Sequence, residues 1–208
     1  ESPIKETTLF RDSGSEHIAG PAKLGSMRRV VITGCGFVSP LGCGHEKVWR
    51  KLVSGKSGLR SLPAHLSSPN VQVFAAGLVP RASKEDNDGI LIDGGPFSSN
   101  ALFGRSVDGE MNMITQFGIC AAEFALEHAQ HPFKSGAYNM ERAGVTLATG
   151  GVGPLDDIHH AYNVLEKSPR RLSPYFIPKT LTNMTGGHIS LRYGTKGPLL
   201  SPSSACAA

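Results

Sequence analysis

The 208-residue chain is 39% hydrophobic and 18% charged, enough apolar content for one ordinary domain or the larger part of one. No stretch approaches the ~18 consecutive apolar residues of a spanning helix, and the formal charge of +4 comes without a Lys/Arg block, so neither membrane nor nucleic acid is an expected partner. Four cysteines, at 35, 43, 120 and 206, match neither a disulfide framework nor a C-x-x-C knuckle; reduced thiols in a reducing compartment are expected. Residues 1–26 carry three basic and four acidic residues, with glycine, serine and proline and no apolar periodicity. They read as a disordered lead-in, without the apolar core of a secretory signal and too acidic for an intact transit peptide. Structure is expected from Met27, where the remainder holds 18 basic against 13 acidic residues.

Arg28 to Thr33 is a β-branched run closed by Gly34 and reads as a buried strand. The glycines and proline from Gly34 to Gly44 then predict a loop. Val48, Trp49, Leu52 and Val53 predict a helix over 45–53, stopped by Gly55. Val71 to Leu78 reads as a second strand, and residues 80–109 as a long polar excursion over the surface. Ile114, Phe117, Ala121, Phe124, Ala125 and His128 recur at spacings of three and four, the clearest helix of the chain, over 112–130. Gly144 to Thr149 predicts a third strand and Asp156 to Lys167 a helix. Leu172 to Thr182 reads as irregular because of Pro174 and Pro178, Asn183 to Tyr193 as helical again, and Gly197 to Ser201 as a strand. Strands alternating with helices predict a layered α/β domain with a mainly parallel sheet.

Gly34-Cys35-Gly36 opens like a dinucleotide fingerprint, but Ser39 stands at the third glycine position and Pro40 where a helix should begin, so a structural turn is preferred. The Gly150–Gly153 run lacks the Lys-Ser/Thr pair of a P-loop. His128 and His131 are three apart and His159 and His160 adjacent, without the H-E-x-x-H spacing; no metal is expected. Cys206 stands in Ser203-Ser204-Ala205-Cys206-Ala207-Ala208, a sharp turn into a small-residue helix. A thiol at a helix start is activated by the dipole and free amides. An inert buried cysteine in a small-residue turn fits the same residues, and both readings stay open on these residues alone.

Several segments together resemble β-ketoacyl-[acyl-carrier-protein] synthases, condensing enzymes of fatty-acid synthesis with a thiolase-like layered α-β-α fold. Arg28 to Gly34 with Ser39-Pro40-Leu41-Gly42 is similar to the family's opening strand and loop, and Trp49 to Gly58 to its first helix. Ser173 to Pro178, Asn183-Met184, Gly187, Lys196-Gly197-Pro198 and Ser204-Ala205-Cys206 follow in the family's order, the last as its nucleophile motif. Val79-Pro80-Arg81 is most similar to the mitochondrial branch, implying the mitochondrial matrix, or the cytoplasm if bacterial. The resemblance covers residues 27–208 as an N-terminal half-domain with a mixed, mainly parallel sheet.

It implies that Cys206 accepts an acyl group from acyl carrier protein, and that malonyl-carrier protein then loses CO2 and condenses with it. The chain itself carries no cofactor, phosphopantetheine belonging to the carrier. Phe176 resembles a residue that lines the acyl pocket across a homodimer interface, and Gly151 the gate of that pocket, with Gly153 as an insertion. The family's two histidines and lysine lie beyond the nucleophile, so the 208 residues alone are expected to be inactive. Pro202 in the strand before the nucleophile departs from a regular ladder, and Leu199 replaces a residue that is usually polar. The rival expectations are a non-catalytic truncated relative acting as a binding or dimerisation module, and a polyketide-type condensing domain.

Overall fold

The computed structural model describes residues 30–67, 70, 73–82, 91–130, 133, 136, 138–150, 155–168, 170 and 172–208. The chain divides into Glu1–Val31, of which only Val30 and Val31 are described, and Ile32–Ala208, which holds every element named here. At the centre is α3, Met113–His128. Its start is set by Asn112, whose side chain accepts a hydrogen bond from the Thr115 N–H at 2.7 Å, satisfying one of the orphan donors of a first turn. Ile119, Cys120 and Phe124 on this helix are almost fully buried and join Cys43, Phe97, Leu102 and Ile189 in one core.

One side of α3 receives an antiparallel hairpin of β1 (Phe37–Ser39) and β2 (Gly42–Gly44), with Val38 opposite Cys43. This hairpin occupies part of the stretch read as a loop. The strand expected over Arg28–Thr33 is not present where it is described: Val30, Val31 and Ile32 are exposed and belong to no strand. β-Branched residues become a strand only where a neighbour takes their N–H and C=O groups. Instead, the following segment lies against α3 through its glycines. A Cβ on Gly34 would stand 2.1 Å from the Ala125 carbonyl oxygen, and one on Gly36 2.0 Å from that of Ala121. The helix α1 (Glu46–Val53) forms as predicted, with Gly55 at φ +72° just beyond it. The Asp93 carboxylate holds its start, accepting from the His45 and Lys47 amides at 2.9 and 3.0 Å.

Among the described residues of the second predicted strand, β4 (Ala75–Ala76) forms, paired antiparallel with β3 (Arg60–Ser61). The described part of the supposed excursion is not peripheral. Phe97, Leu102 and Val107 are buried and α2 (Ser99–Phe103) is capped by the Ser98 hydroxyl; polar residues around three apolar anchors hid their role.

On the other side of α3, α6 (Met184–Tyr193) approaches so closely that a Cβ on Gly118 would stand 2.5 Å from Thr185 Cγ2. β5 (Val145–Thr146) pairs in parallel with β6 (Leu199–Leu200), and α4 (Leu155–Lys167) follows β5. The irregular stretch contains a short helix, α5 (Phe176–Thr180). Pro178 is tolerated there because the first turn of a helix has no intrahelical use for its N–H groups. Helices and short sheets of both senses give the α/β class read from the sequence. Among the described residues no helix is long and apolar enough to cross a membrane.

Candidate active site

The segment that carries Cys206 is built on the β5–β6 ladder. The amides of Val145, Leu147 and Thr149 donate in turn to the carbonyls of Pro198, Leu200 and Pro202, at 2.9, 3.0 and 3.1 Å. This alternation aims residue 202 at the Leu147 carbonyl, and a proline has no N–H to give. β6 therefore ends at Leu200, while one further bridge joins Ser203 to Thr149. Past that bridge the chain turns sharply. Ala205 adopts φ +50°, in the left-handed region that side chains with a Cβ rarely occupy.

The turn Ala205–Ala207 is a single 3₁₀ turn closed by the Ala207 and Ala208 amides on the Ser204 and Ala205 carbonyls, each at 3.1 Å. The sequence predicts a helix start here, and the residues up to Ala208 form its first turn as a 3₁₀ turn. Cys206 at its centre is a free, exposed thiol. Among the described residues its own backbone N–H donates to no acceptor. A thiol open to solvent with an unengaged amide beside it is suited to attack a carbonyl carbon and to hold the oxygen as it becomes negative.

The C-terminal end of β5, bridged to this turn, also bounds a cavity of about 420 Å³. Its walls are largely apolar: Val38 from β1, Ile114, Phe117 and Ala121 from α3, and Leu147, with several threonines completing the lining. Ile114 and Phe117 thus line open space, so the periodic stripe read along this helix serves the cavity as well as the core, and Thr115, Gln116, Ile119 and Cys120 form the inner face. The cavity residues other than those of α3 escaped sequence reasoning. The only local signal for them was the position of Thr149-Gly150 at the end of a predicted strand, where α/β folds place ligands.

Phe176, at the start of α5, is half-buried and lines a separate small cavity against Ala161 and Val164 of α4. It does not reach the larger cavity within its own chain. The short helix that carries it is pinned at three points. The Asn112 amide donates to the Lys179 carbonyl, and the Lys179 ammonium reaches Asp157 at 2.6 Å and the Asp108 carbonyl at 3.0 Å. Thr115 and Thr185 share a buried hydroxyl contact at 2.9 Å, closing the junction of α3 with α6. Gly151, the expected gate, and Gly153 lie outside the described residues.

The expected dinucleotide-like turn is a packing device, as the Gly34 and Gly36 contacts show. His128 stacks on His45 at 4.7 Å between ring centroids and accepts from the Cys35 amide at Nδ1, 3.2 Å; His131 lies outside the described residues. Among the described residues no three His, Cys, Asp or Glu side chains converge as a metal site would require. On α6, burial pushes the His188 imidazole below its ordinary pKa against the opposing charge of Glu110.

The family description Beta-ketoacyl synthase, N-terminal domain, matches residues 27–208. The chain is 37% identical over 198 residues to the mitochondrial 3-oxoacyl-[acyl-carrier-protein] synthase of Arabidopsis thaliana, covering 88% of this chain and 40% of that protein. It is 33% identical over 182 residues to 3-oxoacyl-[acyl-carrier-protein] synthase 2 of Vibrio harveyi, covering 87% and 39%. Among solved structures, a β-ketoacyl synthase from Burkholderia phymatum superposes with a TM-score of 0.63 at 23% identity over 87% of this chain and 40% of that one. The chain thus spans about two fifths of the length of the curated relatives it matches.

Proposed function

Because the chain belongs to the β-ketoacyl synthase family, as its N-terminal domain, we propose that Cys206 is the acyl-accepting nucleophile of a 3-oxoacyl-[acyl-carrier-protein] synthase of fatty-acid biosynthesis. The Cys206 sulfur, once deprotonated, attacks the carbonyl carbon of an acyl thioester on acyl carrier protein. The Cys206 N–H supports the oxygen of the tetrahedral intermediate. Collapse of that intermediate breaks the bond to the carrier's sulfur, which leaves as a thiolate and takes up a proton. Malonyl-carrier protein then loses CO2, and the resulting carbanion attacks the enzyme thioester, releasing the Cys206 thiolate and the 3-oxoacyl product.

Splitting the condensation in this way replaces one difficult step by two easier ones. The acyl tail is placed in the 420 Å³ cavity, whose walls are mostly hydrocarbon. Phe176 lines a different cavity of its own chain, so its part in an acyl pocket calls for a second copy, and a homodimer is the assembly proposed. Phosphopantetheine arrives on the carrier, and the chain needs no cofactor of its own. The mitochondrial name of the plant relative supports a mitochondrial setting. Turnover is assigned to the whole protein and acylation to this domain.

The observation that carries this reading is the Cys206 turn: an exposed thiol and an unengaged amide raised by a left-handed Ala205 at the end of a parallel strand. Incubation with an acyl-carrier protein followed by denaturation and peptide mapping is expected to show a thioester on Cys206 alone. In Cys206→Ala the acyl label falls by at least about a thousandfold, as removal of a nucleophile does. Label on another cysteine, or an undiminished signal in the variant, overturns the assignment.

A further inference from the structure

The start of α1 and the end of α3 play no part in the acylation, yet they meet around a cavity of about 470 Å³. Its lining is Cys35, Phe37, His45, Glu46, Trp49 and His128, and none of these residues lines the acyl cavity. Four of the six side chains are rings, whereas Phe117 supplies the acyl cavity with its one ring. The imidazoles are fixed in place. His45 and His128 stack at 4.7 Å with 9° between their planes, and His45 meets the buried Phe124 edge-on at 6.4 Å. The Cys35 amide donates to His128 Nδ1 at 3.2 Å, and the His45 amide to the Asp93 carboxylate at 2.9 Å. A ring nitrogen that accepts in this way carries no proton, so the N–H of His128 is on Nε2. Glu46 is engaged by Arg50, which leaves no unpaired carboxylate in the lining to select a cation. The Cys35 thiol is free and exposed.

We propose that this cavity is a second ligand site, for a planar α,β-unsaturated carbonyl compound bearing an aromatic ring, which Cys35 captures as a covalent adduct. Flat π systems gain from packing on aromatic side chains beyond the area they bury. Rings held in position before the ligand arrives lower the ordering cost of binding. The thiolate is the nucleophile, and the Cys35 sulfur adds to the β-carbon of the conjugated system. The C=C π electrons move toward the carbonyl oxygen, which becomes an enolate supported by the His128 Nε2–H. The α-carbon then takes up a proton equal to the one lost from sulfur. One C–S bond forms, the C=C bond becomes single, nothing leaves, and no oxidant or reductant takes part. A saturated acyl thioester offers neither a flat ring nor an electrophilic β-carbon, so it has no claim on this cavity. The two sites are independent: loss of acylation in Cys206→Ala leaves capture at Cys35 intact.

The test uses two enones on the full 208-residue chain under native conditions: benzylideneacetone, which carries the ring, and methyl vinyl ketone, which lacks it. After brief reaction the chain is denatured and the adducts are mapped on Cys35 and Cys206. The ratio of Cys35 to Cys206 labelling is expected to be at least about fivefold higher with benzylideneacetone, the gain that ring packing supplies. Methyl vinyl ketone corrects for the intrinsic reactivity of the two thiols. Trp49→Leu is expected to erase the difference between the enones, and Trp49→Phe to keep most of it. Trp49 is also the chain's one tryptophan, so its fluorescence reports on the cavity. In Cys35→Ser, where no adduct forms there, benzylideneacetone is expected to quench that fluorescence saturably. Equal labelling ratios for the two enones in the unmutated chain overturn the proposal, whether or not the Trp49 variants fold. Quenching that rises linearly without saturation overturns it equally.

Discussion

Ala205 holds a left-handed backbone at φ +50°, at a cost of about 1–2 kcal/mol for a residue with a Cβ. The residue after it, Cys206, is exposed in the turn instead of continuing a strand. His188 shows the opposite case, a titratable group whose setting is legible only in three dimensions. Its folded pKa lies below the ordinary value because burial disfavours the charged ring, so the unfolded chain binds the proton more readily. Stability is therefore full above the unfolded value of about 6.5 and declines as the pH falls below it. Thermal unfolding between about pH 7.5 and 5.5 is expected to show this decline in the wild type and a shallower one in His188→Asn. Equal slopes would remove His188 as the cause. Cys206 could be singled out as a candidate because its motif is local in sequence. Thr149, Thr185 and Val38 could not, because the cavity that joins them is assembled from four separate stretches.

Among the elements, helices were far more legible than strands. The helices α1, α3, α4 and α6 fall within one or two residues of their predicted bounds, since helical hydrogen bonds and side-chain periodicity are internal to a segment. A strand depends on distant partners, so Arg28–Thr33 has the composition of one while the true hairpin at 37–44 has that of a loop. The short α5 is hidden in the sequence because Pro178 reads as a breaker although it occupies a first turn. The glycines separate packing from flexibility. Gly36→Ala is expected to cost about 1–3 kcal/mol, as overpacking does, because the new methyl group meets the Ala121 carbonyl at 2.0 Å. Gly187, inside α6 with nothing within 4 Å of the position a methyl group would take, is the matching contrast: Gly187→Ala is expected to gain about 0.5–1 kcal/mol of helix propensity. Chemical denaturation of both variants checks the pair, and similar effects of the same sign would contradict the close approach.

At the scale of the whole molecule, one apolar face is left open. Trp49 and Leu52 on α1 are 54% and 55% exposed and Leu59 is 68% exposed, and together they line a surface cavity of about 390 Å³. Contiguous apolar surface of this kind drives association. The 208-residue chain is expected to self-associate and to bind an apolar dye, and Leu52→Lys with Leu59→Lys to lower the dye signal at least about twofold. Light scattering and dye fluorescence measure this; an unchanged signal would show that the exposed residues lie elsewhere. The α/β class was legible across the chain from the alternation of elements, whereas the contribution of residues 91–109 to the core was not, because composition averages over three buried anchors.

A single amide ties the two ends of this arrangement. Asn112 caps the first turn of α3 with its oxygen and grips the end of α5 with its nitrogen, so the floor of the cavity and the stem of Phe176 share one hinge pin. The end of α5 therefore cannot shift without breaking its bond to Asn112 or disturbing the cap of the central helix.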